Sequence, residues 1–112
     1  PQAKGFIRMA IMERWIHKLR DHSSWDTIMD VEKKWVDVET ALGGFPDKRY
    51  YQPLAGSEDG LTFIWEREWS SLSESEQAYE RLGNSADAKP LFDPTKELIA
   101  SIRREFFDVK EL

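Results

Sequence analysis

A strand that runs directly into a helix, within residues 61–82, constrains the fold of this chain more than any other segment. Its large aromatic side chains are separated by even numbers of residues, which places them on one face of a β-strand. The following helix is predicted over residues 74–82, because Ser73 and Glu76 have the spacing of a capping box. A strand and a helix joined this closely have to pack as neighbours, so the other segments are placed around them. The aromatic residues are Phe63, Trp65 and Trp69.

The first half of the chain predicts a strand and a long amphipathic helix. Residues 6–19 have apolar side chains in both phases of the strand period near their start, which predicts a strand covered on both faces. A helix from Met9 onward is the alternative for this segment. After a cap at Ser23 or Ser24, apolar residues recur at three- and four-residue steps until the glycine pair at 43–44 ends the helix.

The remaining segments predict two further strands and a broken helical region. Pro53 marks the first of these strands as an edge strand or a bulged one, because proline cannot donate to a strand ladder. Asp93 is predicted to cap a short helix, with Pro94 at its first position. The predicted segments are a strand over 48–55, a helical turn and loop over 85–95, a short helix over 95–100 and a strand over 102–109.

The order of the segments predicts an α+β fold of the ferredoxin-like type, a βαββαβ sandwich with a four-stranded antiparallel sheet and its helices on one face. One domain is expected over residues 1–112, with residues 1–5 as a disordered lead. The first strand carries Met12 and Ile16 in the phase opposite to Ile11, so both faces of the sheet are partly apolar. Because soluble chains avoid large exposed apolar patches, we expect a two-fold related copy to cover the second face, which makes the protein a homodimer.

Composition argues against several classes of protein. The formal net charge of −5 and the scattered lysines and arginines argue against a nucleic-acid partner, because binding to phosphates needs clustered cations. No apolar run approaches the roughly 20 residues that span a bilayer, so no membrane segment is expected. The absence of cysteine excludes disulfides, thiolate catalysis and cysteine-bound metals, and it favours a cytoplasmic protein.

Residues 65–76 resemble the strand–loop–helix passage of the dimeric α/β-barrel superfamily and, within it, of the NIPSNAP-like branch. Their sequence is Trp-Glu-Arg-Glu-Trp-Ser-Ser-Leu-Ser-Glu-Ser-Glu, and by order of elements the resemblance extends from Phe6 to Val109. It implies that the sheets of two subunits close into a barrel and that each subunit keeps a small cavity between its sheet and its helices. The superfamily contains small monooxygenases, haem-degrading enzymes, isomerase- and dehydratase-like members and proteins of no known activity, so the fold alone does not imply a function.

Four side chains are candidates for a ligand site: Arg14, His17, Tyr50 and Glu66. His17 lies near the end of a predicted strand, where it could act as a general base or a haem ligand, although a lone histidine there is more often simply hydrogen-bonded or solvated. Arg14 and Glu66 could orient an anionic or carbonyl-bearing molecule, but a cross-strand ion pair between them is the simpler explanation. Neither a metal nor a cofactor is expected, because His17 and His22 have no third ligand nearby. The five tryptophans are expected to supply core packing before they form a ligand pocket.

The sequence leaves the function open between two classes. In the first, a homodimer binds a small organic molecule in the cavity between sheet and helices, or converts it without a cofactor as a small monooxygenase- or isomerase-like enzyme. In the second, the barrel is a non-enzymatic module for association or ligand sensing, and its strand charges are structural. A closed apolar cavity with one convergent polar pair favours the first class, whereas a cavity filled by Trp and Phe rings favours the second.

Overall fold

The computed structural model describes residues 10–56 and 58–110, which form a four-stranded antiparallel sheet and three helices. The elements are β1 (Ile11–Leu19), α1 (Trp25–Leu42), β2 (Arg49–Tyr51), β3 (Thr62–Trp69), α2 (Leu72–Gly83), α3 (Lys89–Leu98) and β4 (Ile99–Asp108). The strand order β2-β3-β1-β4 is that of a ferredoxin-like fold, as the sequence predicts. The predicted lead over residues 1–5 and the start of the first predicted strand over 6–9 lie outside the described residues.

The long helix α1 begins and ends where the sequence predicts. The Ser24 hydroxyl accepts a hydrogen bond from the Thr27 backbone N–H, which satisfies one of the free donors of the first turn. At the other end Gly43 has φ +76°, a conformation that favours glycine, and its N–H donates to the Glu39 carbonyl. With both ends fixed in this way, the helix places Ile28 in the core.

Helix α2 begins earlier than predicted, and the predicted capping box is wrong. The N-cap is Ser71 instead of Ser73, and its hydroxyl accepts from the Glu74 backbone N–H at 3.1 Å. Two overlapping patterns of serine and glutamate are available in this stretch. The earlier one is favoured because the Ser70 hydroxyl also donates to the Glu74 carboxylate, so that Glu74 is held at both its backbone and its side chain.

A single helix, α3, replaces the predicted turn, loop and short helix. Pro90 suits the first turn, where no backbone N–H is needed. Pro94 lies inside the helix and Asp93 does not cap it, so that prediction is wrong. Tertiary contacts override the helix-breaking tendency of Pro94. In one of them Trp35 Nε1 donates to the Thr95 hydroxyl at 2.9 Å and ties α3 to α1.

The strand lengths differ from the prediction at both edges of the sheet. β2 covers only Arg49–Tyr51 instead of residues 48–55, because Pro53 cannot continue a ladder. β4 begins at Ile99, directly after α3 and earlier than predicted. β1 is one continuous strand through Leu19, so the helix alternative for this segment is wrong over the described residues.

The two faces of the sheet differ in chemistry. Along β1, Glu13, Trp15 and His17 lie on the face that the helices cover, and Arg14 lies on the other face. On that second face Arg14 Nε donates to Glu66 Oε2 at 2.6 Å, which confirms the predicted cross-strand ion pair. The core between sheet and helices is formed by Leu19, Ile28, Phe63, Trp65, Leu98 and Ile99.

Candidate functional site

Aromatic rings form a packed layer between the sheet and the helices. Trp15 stacks on Trp65 with 5.4 Å between ring centroids, and on His17 at 5.9 Å. Tyr50 stacks on Phe63 at 5.9 Å. Rings in contact at these distances exclude a ligand from between them. This filled interior is the arrangement expected of a non-enzymatic module, so any ligand cavity has to lie at its margin.

One buried carboxylate, Glu13, is completely satisfied by neighbouring donors. Its Oε2 accepts from Trp15 Nε1 at 2.7 Å and from Arg104 Nε at 2.8 Å. Its Oε1 accepts from Trp69 Nε1 at 3.0 Å and from the Tyr79 hydroxyl at 2.6 Å. Burial, with a contribution from the Glu13 charge, raises the pKa of Tyr79, so the phenol stays a donor. With two donors on each oxygen, Glu13 serves the fold by tying β1, β3, β4 and α2 together.

A second buried network joins α1 to β3 and to the segment before β2. Lys48 Nζ lies 2.7 Å from Glu32 Oε2 and 3.2 Å from Glu39 Oε2. The Tyr50 hydroxyl donates to Glu32 Oε2 at 2.7 Å, and burial together with the Glu32 charge raises the pKa of Tyr50. Arg67 Nη2 donates to Glu39 Oε1 at 2.8 Å. The two carboxylates and the two cations of this network therefore balance one another.

The guanidinium of Arg67 lies among aromatic rings, and its side chain is 0% exposed. Its Cζ is 4.8 Å from the ring centroid of Trp65, 5.2 Å from that of Phe45 and 5.7 Å from that of Trp69. Ring faces attract a buried cation but do not replace oxygen acceptors. Among the described residues, none accepts a hydrogen bond from its Nε or Nη1.

A cavity of about 330 Å³ opens beside the second network, between the C-terminal half of α1 and the segment that leads into β2. Val36, Phe45 and Pro46 provide its apolar wall. Its polar wall consists of Glu39, Lys48 and Tyr50, with Thr40 and Asp47 at the same site. The cavity has the size of a small-molecule site, and it offers both apolar and polar surface to a ligand.

Of the four predicted site residues, only Tyr50 lines this cavity. Arg14 and Glu66 lie on the opposite face of the sheet and pair with each other. His17 lies on the helix side but belongs to the aromatic layer, where burial, with the Lys48 charge adding to it, lowers its pKa to about 4. The imidazole is therefore neutral, and its Nδ1–H donates to the Phe63 carbonyl at 3.0 Å.

The sequence reasoning missed Glu39, Lys48 and Arg67 as site residues. Glu32 and Glu39 interrupt the apolar stripe of α1 at a seven-residue spacing, so both lie on its inner face. Arg67 occupies the aromatic phase of β3. A charged residue in an otherwise apolar phase is the signal that could have found Glu39 and Arg67, because a buried charge needs a buried partner. No such pattern marks Lys48, which precedes β2.

A second, shallower depression of about 560 Å³ lies near the end of α3 and includes Arg20, His22 and Lys96. Arg20 Nε donates to the Lys96 carbonyl at 3.3 Å, and His22 Nε2 lies 3.1 Å from the Glu97 carbonyl. Both side chains thus make hydrogen bonds with the last carbonyls of the helix.

Within residues 10–56 and 58–110, no group of three or more His, Cys, Asp or Glu side chains could hold a metal. No helix of this part of the chain has the length and hydropathy to cross a membrane.

Comparison with known proteins gives a match in structure alone. No family model matches the sequence, and no curated protein matches it. A NIPSNAP family protein from Agrobacterium tumefaciens str. C58 has a TM-score of 0.78 at 15% identity, over 95% of this chain and 90% of that one. A dimeric ferredoxin-like protein of unknown function from Thermobifida fusca YX has a TM-score of 0.63 at 13% identity, over 93% and 94%. SnoaB, a cofactor-independent oxygenase from Streptomyces nogalater, has a TM-score of 0.65 at 10% identity, over 92% and 95%.

These neighbours define the class of fold. The predicted resemblance to NIPSNAP-like proteins and to the wider dimeric α/β-barrel group is confirmed at the level of fold. The chain has a ferredoxin-like fold, which it shares with the NIPSNAP family protein from Agrobacterium tumefaciens. At identities this low, a shared fold does not show a shared activity, so the function of this chain has to be argued from its site.

Proposed function

We propose that this protein is a homodimeric binding module that takes a small organic molecule into the cavity beside Glu39, Lys48 and Tyr50. One observation carries the proposal. The side chains of Lys48 and Glu39 are only 4% and 8% exposed, yet both line a cavity that also has an apolar wall. Because burying such charges is costly, a purely structural core would gain from apolar replacements, whereas a recognition site needs polar groups held in place.

Binding is better supported than catalysis. The predicted base, His17, is not among the residues that line the cavity, and with a pKa near 4 it is a weak base. Of the groups that do line it, the Tyr50 phenol has a raised pKa and Lys48 is paired with two carboxylates. The cofactor-free monooxygenase or isomerase alternative is supported only by the fold shared with SnoaB.

The face of the sheet that carries Arg14 supports the homodimer, because none of the described helices covers it. Arg14 lies between Glu66 at 2.6 Å and Glu105 at 3.9 Å, and its Cζ is 5.0 Å from the ring centroid of Phe107. Phe107 is 39% exposed. Both charge signs and exposed rings on one face are the groups with which a face can pair with its own copy in a symmetric dimer. The Thermobifida fusca neighbour is itself dimeric.

The binding proposal is tested with three single-ring probes: acetophenone, benzoate and benzylammonium. Each is titrated into ¹⁵N-labelled protein while the backbone amide resonances are followed by NMR. We expect at least one probe to give saturable shifts centred on residues 36–40 and 45–50. Shifts that are absent for all three probes, or that are spread evenly over the surface, would contradict the proposed site.

A further inference from the structure

The second buried network has fewer hydrogen-bond acceptors than its buried donors need. Of the described residues, Arg67 alone has fully buried side-chain nitrogens without an acceptor, namely Nε and Nη1. Its Nη2 is already bonded to Glu39 at 2.8 Å. Native proteins rarely leave such donors unpaired, and each exception calls for an explanation. A ligand oxygen is one explanation and a buried water is the other.

The charge of the network restricts what such a ligand can be. Glu32 and Glu39 carry two negative charges, and Lys48 and Arg67 carry two positive ones. An anion would leave one buried negative charge uncompensated, and an ammonium group would leave one positive charge. The positive and negative charges of the network therefore balance already, and only Nε and Nη1 of Arg67 need acceptors. A neutral oxygen acceptor meets this requirement without disturbing the balance.

Access to the guanidinium depends on Phe45. This side chain lines the cavity and its ring centroid lies 5.2 Å from Arg67 Cζ, whereas Arg67 is not among the residues that line the cavity. It directly follows Gly43 and Gly44, which have φ of +76° and +83°. Glycine adopts such conformations at little cost, so these two residues are where the backbone would turn. That turn would move the Phe45 ring away from the rings of Trp69 and Tyr79, which it contacts at 5.9 and 5.8 Å.

We infer that the ligand of this cavity is an uncharged molecule with a carbonyl oxygen, that Arg67 recognises this oxygen, and that Phe45 moves aside to admit it. The inference rests on the proposed binding function and adds the chemical class of the ligand. The carbonyl oxygen accepts from the free donors of Arg67, and the apolar body of the molecule lies against Val36 and Pro46.

The test uses probes that share one ring and differ in one group: acetophenone, toluene, benzoate and benzylammonium. Each is titrated into labelled protein while the Arg67 Nε–H resonance and the amides of residues 36–50 are followed. We expect acetophenone to bind about ten-fold more tightly than the other three and to be the probe that shifts the Nε–H resonance. The matched variant Arg67→Lys keeps the charge but removes Nε and Nη1, and it should lower acetophenone to the affinity of toluene.

The outcomes separate the two proposals. If benzoate or benzylammonium binds most tightly at residues 36–50, the cavity is a binding site and the carbonyl inference is wrong. The inference also fails if acetophenone leaves the Nε–H resonance unshifted, because Arg67 is then satisfied by a bound water only. If no probe gives a saturable shift, both the binding function and the inference are contradicted. The wild-type measurements decide these outcomes even where Arg67→Lys does not fold.

Discussion

Lys48 and Glu32 form an ion pair of 2.7 Å in which the side chains are only 4% and 8% exposed. The pair joins the segment before β2 to the middle of α1, and Glu39 adds a second carboxylate at 3.2 Å from Lys48. Salt bridges this far from water carry a desolvation cost that attraction offsets only when the geometry is good. Removing one partner of such a pair therefore lowers the free energy of unfolding strongly, so the network can be tested by single substitutions.

Replacing Lys48 with Met is expected to destabilise the protein by about 3 kcal/mol, because Glu32 and Glu39 would remain buried without their shared cation. The free energy of unfolding is measured by urea titration. Lys34→Met is the matched control on the exposed side of α1 and should change that free energy by less than about 0.5 kcal/mol. Equal losses in the two variants would contradict the buried network.

Replacing Glu13 with Gln is expected to cost about 3 kcal/mol, because an amide nitrogen would then face donors that now point at a carboxylate oxygen. Glu76→Gln, on the exposed side of α2, is the control. Urea unfolding measures both variants. If Glu13→Gln is as stable as Glu76→Gln, the four donors do not converge on Glu13.

His17 should make the protein less stable as the pH falls below neutrality. The pKa of the folded state is about 4, below the ordinary value of 6.5, so between these values the unfolded chain binds the proton and the folded one does not. The contribution of His17 is complete above pH 6.5 and is lost as the pH falls to about 4, by about 3 kcal/mol in total.

Urea unfolding of wild type and His17→Phe across this pH range measures that contribution. The stability of the variant should fall less steeply than that of wild type between pH 6.5 and 4, and the two curves should run parallel above pH 6.5. Parallel curves over the whole range would show that His17 does not titrate with a lowered pKa.

The face of the sheet that carries Arg14 is expected to hold two subunits together. Phe107→Asp places a charge on that face and should shift sedimentation at micromolar concentration from dimer to monomer. Phe92→Asp is the control, because Phe92 is exposed to a similar degree but lies on α3. A monomeric wild type, or equal dissociation of both variants, would contradict a dimer through this face.

Local patterns were sufficient to predict the order of the elements. The aromatic phase of β3 and the Ser24 and Gly43 ends of α1 are short-range signals, and the structure keeps each of them. Local patterns failed to predict the ends of a helix where two capping patterns overlapped or where a tertiary contact fixed the helix. Ser71 caps α2 instead of Ser73, and the Ser70 hydroxyl donates to the Glu74 carboxylate beside this cap. Pro94 lies inside α3, which is anchored to α1 by the hydrogen bond from Trp35.

The site was harder to predict than the fold, since its members meet only through tertiary structure. Glu39 lies 28 residues from Arg67 in sequence, and Glu32 lies 16 residues from Lys48. A single sequence shows a glutamate in an apolar stripe but not the cation that it will meet. Tyr50 was predicted as a ligand-binding residue and does line the cavity, whereas Arg14 and Glu66 pair on the opposite face.

The most direct test of the proposed site compares the affinity for acetophenone of two tryptophan variants of α1. Thr40→Trp places a large ring at the cavity, and Lys34→Trp places the same ring on an exposed part of the helix away from it. We expect Thr40→Trp to weaken binding at least about ten-fold and Lys34→Trp to retain the wild-type Kd. Equal affinities in the two variants would show that the ligand does not occupy this cavity.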